Sequence, residues 1–556
     1  MKKFFCFIFC FFLTIGVFAQ EALKSIEEEY FDLLSLQGLI DRPTLGYRTL
    51  SDSVWNINED VQHIWKNNNL GKSHILFESE NQGKNWFSKG FFHGLKLKLF
   101  GPEWFNSYNT TAPYGQNDGA LWQGRGYNTS FTTGVRLEGY GFEVTFKPQL
   151  SFSQNLDFEI MPSNYDSEFG YFWGYGKNIG IDVPQRFGTS PFFTFDWGDS
   201  EIRYSWKTLT IGFGTQSIWL GPAQINPILH SNNAPTYPKI DVGLRKTEIN
   251  IPWWDNSIIQ LGKIEFRLWT GYLTESKYFD NNEKNNHNMF HGLQFAYEPS
   301  FLQGFTFFIN RTCLVKWDIK NLKYIFPQNK NTYVGEENKG EDQKTSFGFS
   351  WFLFNSMFNF YFEIGLDDYV LNGFPKGYIR YPLHTLIYTT GFRKAFHIKN
   401  NLQLICNLEI NYSEMSQDFQ FQWPYNFGFH HQISQGYTNK GQFLGTGYGY
   451  GGNMQYLDFT LLYPKGKTCL FISRNNPDNN YLYSKAINKN AIDDELEKKY
   501  FKNWKANFNI GFMSSNYFSP NFMINLGFVY NFIINEKYDN IDKNNFIINI
   551  GIKYTL

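Results

Sequence analysis

The last twelve residues, NFIINIGIKYTL, put Phe546, Ile548, Ile550, Ile552, Tyr554 and Leu556 on one face of an extended chain. Asn549, Gly551, Lys553 and Thr555 fall on the other. A period of two is the signature of a β-strand with one apolar face. The same period recurs from about residue 90 onward. In HGLKLKLF, Leu95, Leu97 and Leu99 oppose Lys96 and Lys98. Leu402, Leu404, Cys406, Leu408, Ile410 and Tyr412 alternate with Gln403, Asn407, Glu409 and Asn411. Ala506, Phe508, Ile510 and Phe512 alternate with Asn507, Asn509 and Gly511. In FTTGVRLEGYGFEVTFKP the phase flips at Gly139, which predicts a tight hairpin. Several runs span roughly 9 to 11 residues, the length a tilted strand needs to cross a bilayer. Strands of soluble sandwiches are shorter.

Composition separates the two folds that alternation allows. Of 556 residues, 20% are aromatic, with 60 Phe, 35 Tyr and 16 Trp, yet mean hydropathy is −0.41. Aromatic side chains interleaved with Asn, Gly and Lys suit a surface against lipid headgroups or sugars better than a buried core. The pattern predicts an all-β fold, an antiparallel transmembrane β-barrel. At roughly 25 to 30 residues per strand and loop, the length from residue 90 gives about 16–18 strands. An amphipathic final strand with an aromatic third from the end resembles the terminal strand of bacterial outer-membrane barrels, although their usual last residue is aromatic and here it is Leu556. The net charge of −1 points to no nucleic-acid partner.

The opening MKKFFCFIFCFFLTIGVFAQ has the form of a secretory signal peptide over residues 1–19. Lys2 and Lys3 form its charged start, Phe4 to Val17 its apolar run, and Val17-Phe18-Ala19 its cleavage site. Its apolar run is short for a spanning helix. Cys313, Cys406 and Cys469 are too scattered for a metal site and odd in number for a paired framework. Residues 20–88 read as a small helical element, a periplasmic plug segment, ahead of a barrel over residues 89–556. In ALKSIEEEYFDLLSLQGLI the apolar spacing is helical, ending before Pro43. A second short helix is expected over Asn58 to Asn67, with Asn58 as its cap. Long polar interruptions at residues 279–288, 329–344 and 475–499 are expected as extracellular loops, the last with a short helix at Asn490 to Tyr500.

One loop is unlike the others. WLGPAQINPILHSNNAPTYPKI, residues 219–240, carries Pro222, Pro227, Pro235 and Pro238 between two strand-like flanks. Proline excludes a central strand, and Trp, Asn and Pro in place of Ser, Glu and Lys favour order. Inside a barrel such irregular backbone belongs in the lumen or at its mouth, since it cannot face lipid. With NDGALWQGRGYN (Asn117 to Asn128) and GYTNKGQFLGTGYG (Gly436 to Gly449), this loop carries a family resemblance. In order and spacing, and with WTGYLTESKYFD and YPLHTLIYTTGFRK between them, these segments resemble the capsule assembly Wzi family over nearly the whole mature chain. The Asn-rich insertions are similar to a Bacteroidetes-type variant. The resemblance implies an outer-membrane barrel with a blocked lumen and a lectin-like, non-enzymatic role, holding capsular or exopolysaccharide at the cell surface. Implied partners are that polysaccharide, outer-membrane lipid and the barrel insertion machinery, with the chain a monomer and no cofactor.

Residue chemistry fits a glycan on its own terms. Sugars offer apolar CH faces to aromatic rings and hydroxyls to amides and carboxylates. Asp118, Trp122, Gln123 and Arg125 supply both kinds, and so do Trp219, Asn226, His230, Asn232 and Asn233. The same groups also suit a second role, satisfying the backbone of an inward-folded loop. His430-His431 lacks the supporting carboxylates or thiols of a metal site. No G-x-S-x-G elbow, phosphate loop or nucleophile–base pattern occurs, so no catalytic residue is expected. A porin-like transport channel is the alternative function.

Overall fold

The computed structural model describes residues 18–20, 23–57, 60–68, 70, 96–174, 177–252, 257–327, 340–367, 376, 379, 386–399, 401–414, 427–430, 432–478, 481–482 and 503–555. The leader up to residue 17, the cap of the expected second helix and the expected helix at 490–500 lie outside these residues.

An 18-strand antiparallel barrel encloses the molecule. Its first half runs β1 (Lys96–Asn109), β2 (Gly126–Gly139), β3 (Phe142–Phe146 and Gln149–Ser153), β4 (Phe192–Asp196 and Glu201–Trp206), β5 (Leu209–Gly214), β6 (Lys239–Pro252), β7 (Ile258–Thr274), β8 (His287–Pro299) and β9 (Phe305–Lys316). The second half runs β10 (Glu341–Leu353), β11 (Phe358–Asp367), β12 (Ile387–Lys399), β13 (Leu402–Tyr412), β14 (Asn453–Tyr463), β15 (Gly466–Asn476), β16 (Ala506–Ser519), β17 (Phe522–Ile534) and β18 (Lys543–Tyr554). Strand β18 pairs with β1 and closes the sheet, with Ile550 opposite Asn106. Strand β3 breaks at Pro148, which has no amide hydrogen for the ladder. The β2–β3 hairpin turns at Tyr140 and Gly141, both at positive φ, 55° and 82°. That is the primed turn that matches strand twist.

Alternation sets inside and outside. On β18, Phe546, Ile548 and Ile550 are exposed, while Asn545, Ile547 and Lys553 are buried. Phe508, Ile510 and Phe512 on β16 and Leu209, Ile211 and Phe213 on β5 are exposed in the same way. A closed barrel with a continuous outward apolar band is stable only in a bilayer. This, and not a core in water, is where many of the aromatic residues go. The protein is an outer-membrane β-barrel.

Short turns and long loops segregate to opposite ends. Turns of two residues, at 140–141, 207–208, 464–465 and 520–521, mark the periplasmic end. Helix α1 (Ile26–Leu36) sits there inside the barrel, capped by Ser25, whose hydroxyl accepts from the Glu28 amide at 3.2 Å. Its Tyr30, Phe31, Leu33, Leu34 and Leu36 pack on Trp55, Trp65 and inward side chains of the wall, among them Ile405, Leu462 and Met523. Its acidic face meets cations of the wall: Glu27 with Lys553 at 2.7 Å, Glu29 with Lys467 at 2.5 Å, and Asp32 with Arg393. Burial pushes the Asp32 carboxyl up, but Arg42 and Arg393 outweigh it and hold the group well below the usual range.

The expected second helix is not formed over its described residues. Residues 60–68 make turns. Trp65 stacks on Tyr30 with centroids 4.2 Å apart, and its indole donates to the Tyr463 carbonyl at 2.8 Å. An isolated ten-residue helix nucleates poorly, and docking this one tryptophan fixes a different backbone.

Candidate functional site

The lumen above α1 is filled by two irregular segments, each held by one carboxylate. Glu265 on β7 accepts the amides of Leu45, Gly46 and Tyr47 at 2.8, 2.9 and 2.7 Å. Across the barrel, Glu409 on β13 accepts those of Gln224, Ile225 and Asn226 at 2.7, 3.1 and 2.7 Å. The segments meet where Trp219–Leu220 pair with Tyr47–Arg48 as a two-residue ladder. Gly221 follows at φ 80°, and a Cβ there would lie 2.8 Å from the Glu363 carboxylate, so only glycine passes the wall so closely. The proline-rich loop therefore crosses the lumen.

This crossing accounts for Trp219, Asn226 and His230 among the loop residues named above. Trp219 is wholly buried, its indole donating to the Ala223 carbonyl at 2.9 Å, with Arg48 and Lys24 over its ring. Asn226 is buried, and its carbonyl accepts from Thr389 at 3.1 Å. His230 bonds the Ile218 and Ser231 carbonyls through Nδ1 and the Tyr237 hydroxyl through Nε2, at 2.8, 2.9 and 2.7 Å. Burial, aided by Lys239, lowers its pKa to about 3, so the ring stays neutral. The Trp219 and His230 side chains hold the loop together, that of Asn226 reaches Met454 of the wall at 3.3 Å, and all three are buried with no open face for a ligand.

Asp118, Trp122 and Gln123 of the other set, with Asn233 of the loop, open onto a cavity. A space of about 370 Å³ lies at the long-loop end, lined by Asp118, Trp122, Gln123 and Asn233. The inward faces of β15, β16 and β17 add Ser473, Asn475, Asn507, Asn509 and Asn531. Rings of Tyr114, Phe158, Phe172, Tyr448 and Tyr538 complete the lining. Trp122 is steadied by Phe187, 5.0 Å between centroids. Gln123 donates to Asp118 Oδ2 at 2.7 Å. Burial nevertheless pushes the Asp118 carboxyl up to about 7, with the Gln123 and Gln116 bonds only partly opposing it. Asn233 accepts the Asn117 amide at 3.0 Å and donates to the Phe443 carbonyl at 3.0 Å, tying the three motif segments together. Asn232 contributes its carbonyl to the Gly119 amide at 2.8 Å. Arg125 does not join the cavity lining: its guanidinium donates to the carbonyls of Thr110, at 3.1 Å, and Asp157.

The cavity is chemically suited to a polyhydroxyl ligand. Aromatic rings offer stacking faces. Asn531 donates to Asn509 at 2.8 Å and Asn509 to Ser473 at 3.0 Å. The side-chain carbonyl oxygens of Gln123 and Asn507 are buried and meet no protein donor among the described residues. The strand asparagines were missed as site residues although Asn507 and Asn509 stand out as the polar phase of an alternating run. Their signal is amide, instead of charge, on consecutive inward positions.

No family model and no curated protein sequence matches the chain. Solved structures do. Wzi of Escherichia coli, described as an outer-membrane protein involved in group 1 capsule assembly and a carbohydrate-binding β-barrel, aligns over 98% of this chain and 100% of its own. Sequence identity is 13% and the TM-score 0.57. OprD of Pseudomonas aeruginosa aligns over 84% and 95% of the two chains, at 8% identity and a TM-score of 0.39. At 13% identity the likeness to Wzi is one of fold, and the chain has that barrel fold end to end.

Proposed function

We propose that this chain is a non-enzymatic surface lectin of the outer membrane, which binds capsular or exopolysaccharide and anchors it to the cell. Residues 1–19 act as the export signal, residues 20–88 as the periplasmic-end plug, and residues 89–556 as a monomeric barrel inserted by the outer-membrane machinery. One observation carries the reading: an amide- and aromatic-lined cavity opens at the extracellular end, above a lumen crossed by two anchored segments. A binding site over a blocked passage suits retention of a polymer better than its passage. The fold shared with Wzi, described as carbohydrate-binding, supports it.

The direct test is binding of the purified barrel to fractionated surface glycans of its own host. A deletion strain should keep polysaccharide synthesis but shed polymer into the medium. Normal retention by that strain would sink the proposal. Large steady conductance of the wild-type barrel in a planar bilayer would favour the porin-like channel instead.

A further inference from the structure

Residues 317–327, which follow β9, fold back over the outer wall of the barrel. Residues Ile319–Ile325 form a 3₁₀ helix, which repeats every three residues and so presents three distinct columns. One column faces the wall. Tyr324 packs on Met289, Cys313 and Val315, outward residues of β8 and β9. The Asn321 carbonyl accepts from outward His291 Nε2 at 3.1 Å, and the Tyr324 and Ile325 carbonyls accept from outward Arg311 at 3.0 and 3.2 Å. Two polar side chains that would otherwise face lipid are thus covered by loop backbone.

The other two columns lie on the outer side of the segment, with the Lys323 ammonium over the Tyr324 ring, 5.1 Å from its centroid. Ile319 and Leu322 are 74% and 40% exposed. Lys320 and Lys323 stand three residues apart on the remaining face, with exposed Phe326 continuing it. Trp317 stands edge-on over outward Tyr272 of β7, 4.6 Å between centroids, at the long-loop end of the strand. The apolar column continues the barrel's outward band, where aromatic residues mark the bilayer interface. Lysines beside it match headgroup phosphates.

From this arrangement we infer that residues 317–326 form an apron that inserts into the outer leaflet and selects anionic, phosphate-bearing lipid headgroups beside β7–β9. The occupant is the bilayer, and the apron does not depend on the glycan cavity on the inner face.

A fluorescent bimane on Ile319→Cys, with Cys313, Cys406 and Cys469 changed to Ala, tests depth in phosphatidylcholine vesicles. Lipid brominated in its chains should quench this label while iodide does not; a label on Lys284→Cys in the 275–286 loop should behave the opposite way. At equal mole fraction, brominated phosphatidylglycerol should quench the Ile319 label about two-fold more than brominated phosphatidylcholine, falling to parity in Lys320→Glu/Lys323→Glu. Iodide quenching equal to that of the Lys284 label, or no preference between the two lipids in the otherwise unchanged barrel, overturns the inference. Native mass spectrometry of the unlabelled wild type and the double charge reversal provides a second readout free of the cysteine changes. Phosphatidylglycerol adducts should be carried by the wild type and lost from the variant, and equal adducts on both would equally overturn it.

Discussion

Two tryptophans that look alike in the sequence occupy opposite situations. Trp122 lines the cavity and keeps part of its surface open, while Trp219 is sealed in the crossing loop. Trp122→Ala should weaken glycan binding about ten-fold, about 1.4 kcal/mol, the scale of one lost aromatic contact, with the heat-modifiable gel shift of the folded barrel unchanged. Trp219→Ala should instead cost about 3–5 kcal/mol of stability, as for large core truncations, and lower folding yield before binding can be assayed. Asn233 falls between the two, because it both lines the cavity and joins three segments. Asp118 adds a pH dependence. Its folded pKa is raised by burial from 3.8 to about 7. The folded state therefore holds a proton that the unfolded chain releases, and the stability tied to this group is full below about pH 4 and lost as pH rises through about 7. Asp118→Asn should flatten that part of the profile. Urea midpoints of wild type and variant, measured in lipid vesicles between those pH values, should converge at low pH and separate at high pH. Parallel curves would show that Asp118 is not the titrating group.

At the scale of elements, what was legible depends on how far the determining contact lies along the chain. Strand runs announce themselves, because a half-buried strand needs only a period of two, and Leu402 to Tyr412, Ala506 to Phe512 and the last strand all stand where alternation puts them. Helix α1 was legible from its apolar spacing. The stretch Asp60 to Asn67 was not, since its conformation is dictated by Tyr30 and by the Tyr463 carbonyl, about 400 residues away. The carboxylate clamps were invisible for the same reason: Glu265 and Glu409 look like any inward polar residue until the segments they hold are brought across the lumen. Of the candidate site, Asp118, Trp122, Gln123 and Asn233 line the cavity, whereas Arg125, Trp219, Asn226, His230 and Asn232 do not, because residue type alone does not distinguish gripping a sugar from satisfying a backbone. The clamps make their own prediction. Each buried amide left without its acceptor costs about 1–3 kcal/mol, and Glu409→Ala strands three of them. Hydrogen exchange at Gln224, Ile225 and Asn226 should accelerate by at least about a hundred-fold in this variant, while amides of β13 itself remain protected. Unchanged exchange at those three amides would mean that the loop is held by other contacts.

For the whole molecule, the consequence is a barrel closed in two layers, each with its own anchors on the wall, that meet where Arg48 pairs with Glu28 at 3.3 Å and Lys24 lies over the Trp219 ring. The lower layer is α1, tied to the wall by Glu27, Glu29 and Asp32. Residues 47–48 join the upper layer through their ladder with Trp219–Leu220, and residues 51–52 return to the short-turn end, where Asp52 meets Arg245 and Arg267 at 2.8 and 3.0 Å and Ser51 accepts from Arg136 at 2.9 Å. The proline-rich loop completes the upper layer from the opposite wall through Glu409. Buried ion pairs of this kind add little net stability, yet removing one partner is costly because a charge is left unpaired in a poorly solvated lumen. They hold segments in position more than they stabilise the fold. Closure by two layers predicts non-additive behaviour. Wild-type barrel in a planar bilayer should pass little or no steady current. Glu409→Ala, which loosens only the upper layer, should leave it closed or flickering, because α1 still fills the short-turn end. Exchanging Glu27, Glu29 and Asp32 for Ala, which loosens only the lower layer, should do the same. The two changes together should give a steady conductance that exceeds the sum of the separate effects, in a barrel whose gel shift shows it still folded. Opening by either change alone would mean a single gate, and the layer concerned would then be the only barrier between the cavity and the periplasm.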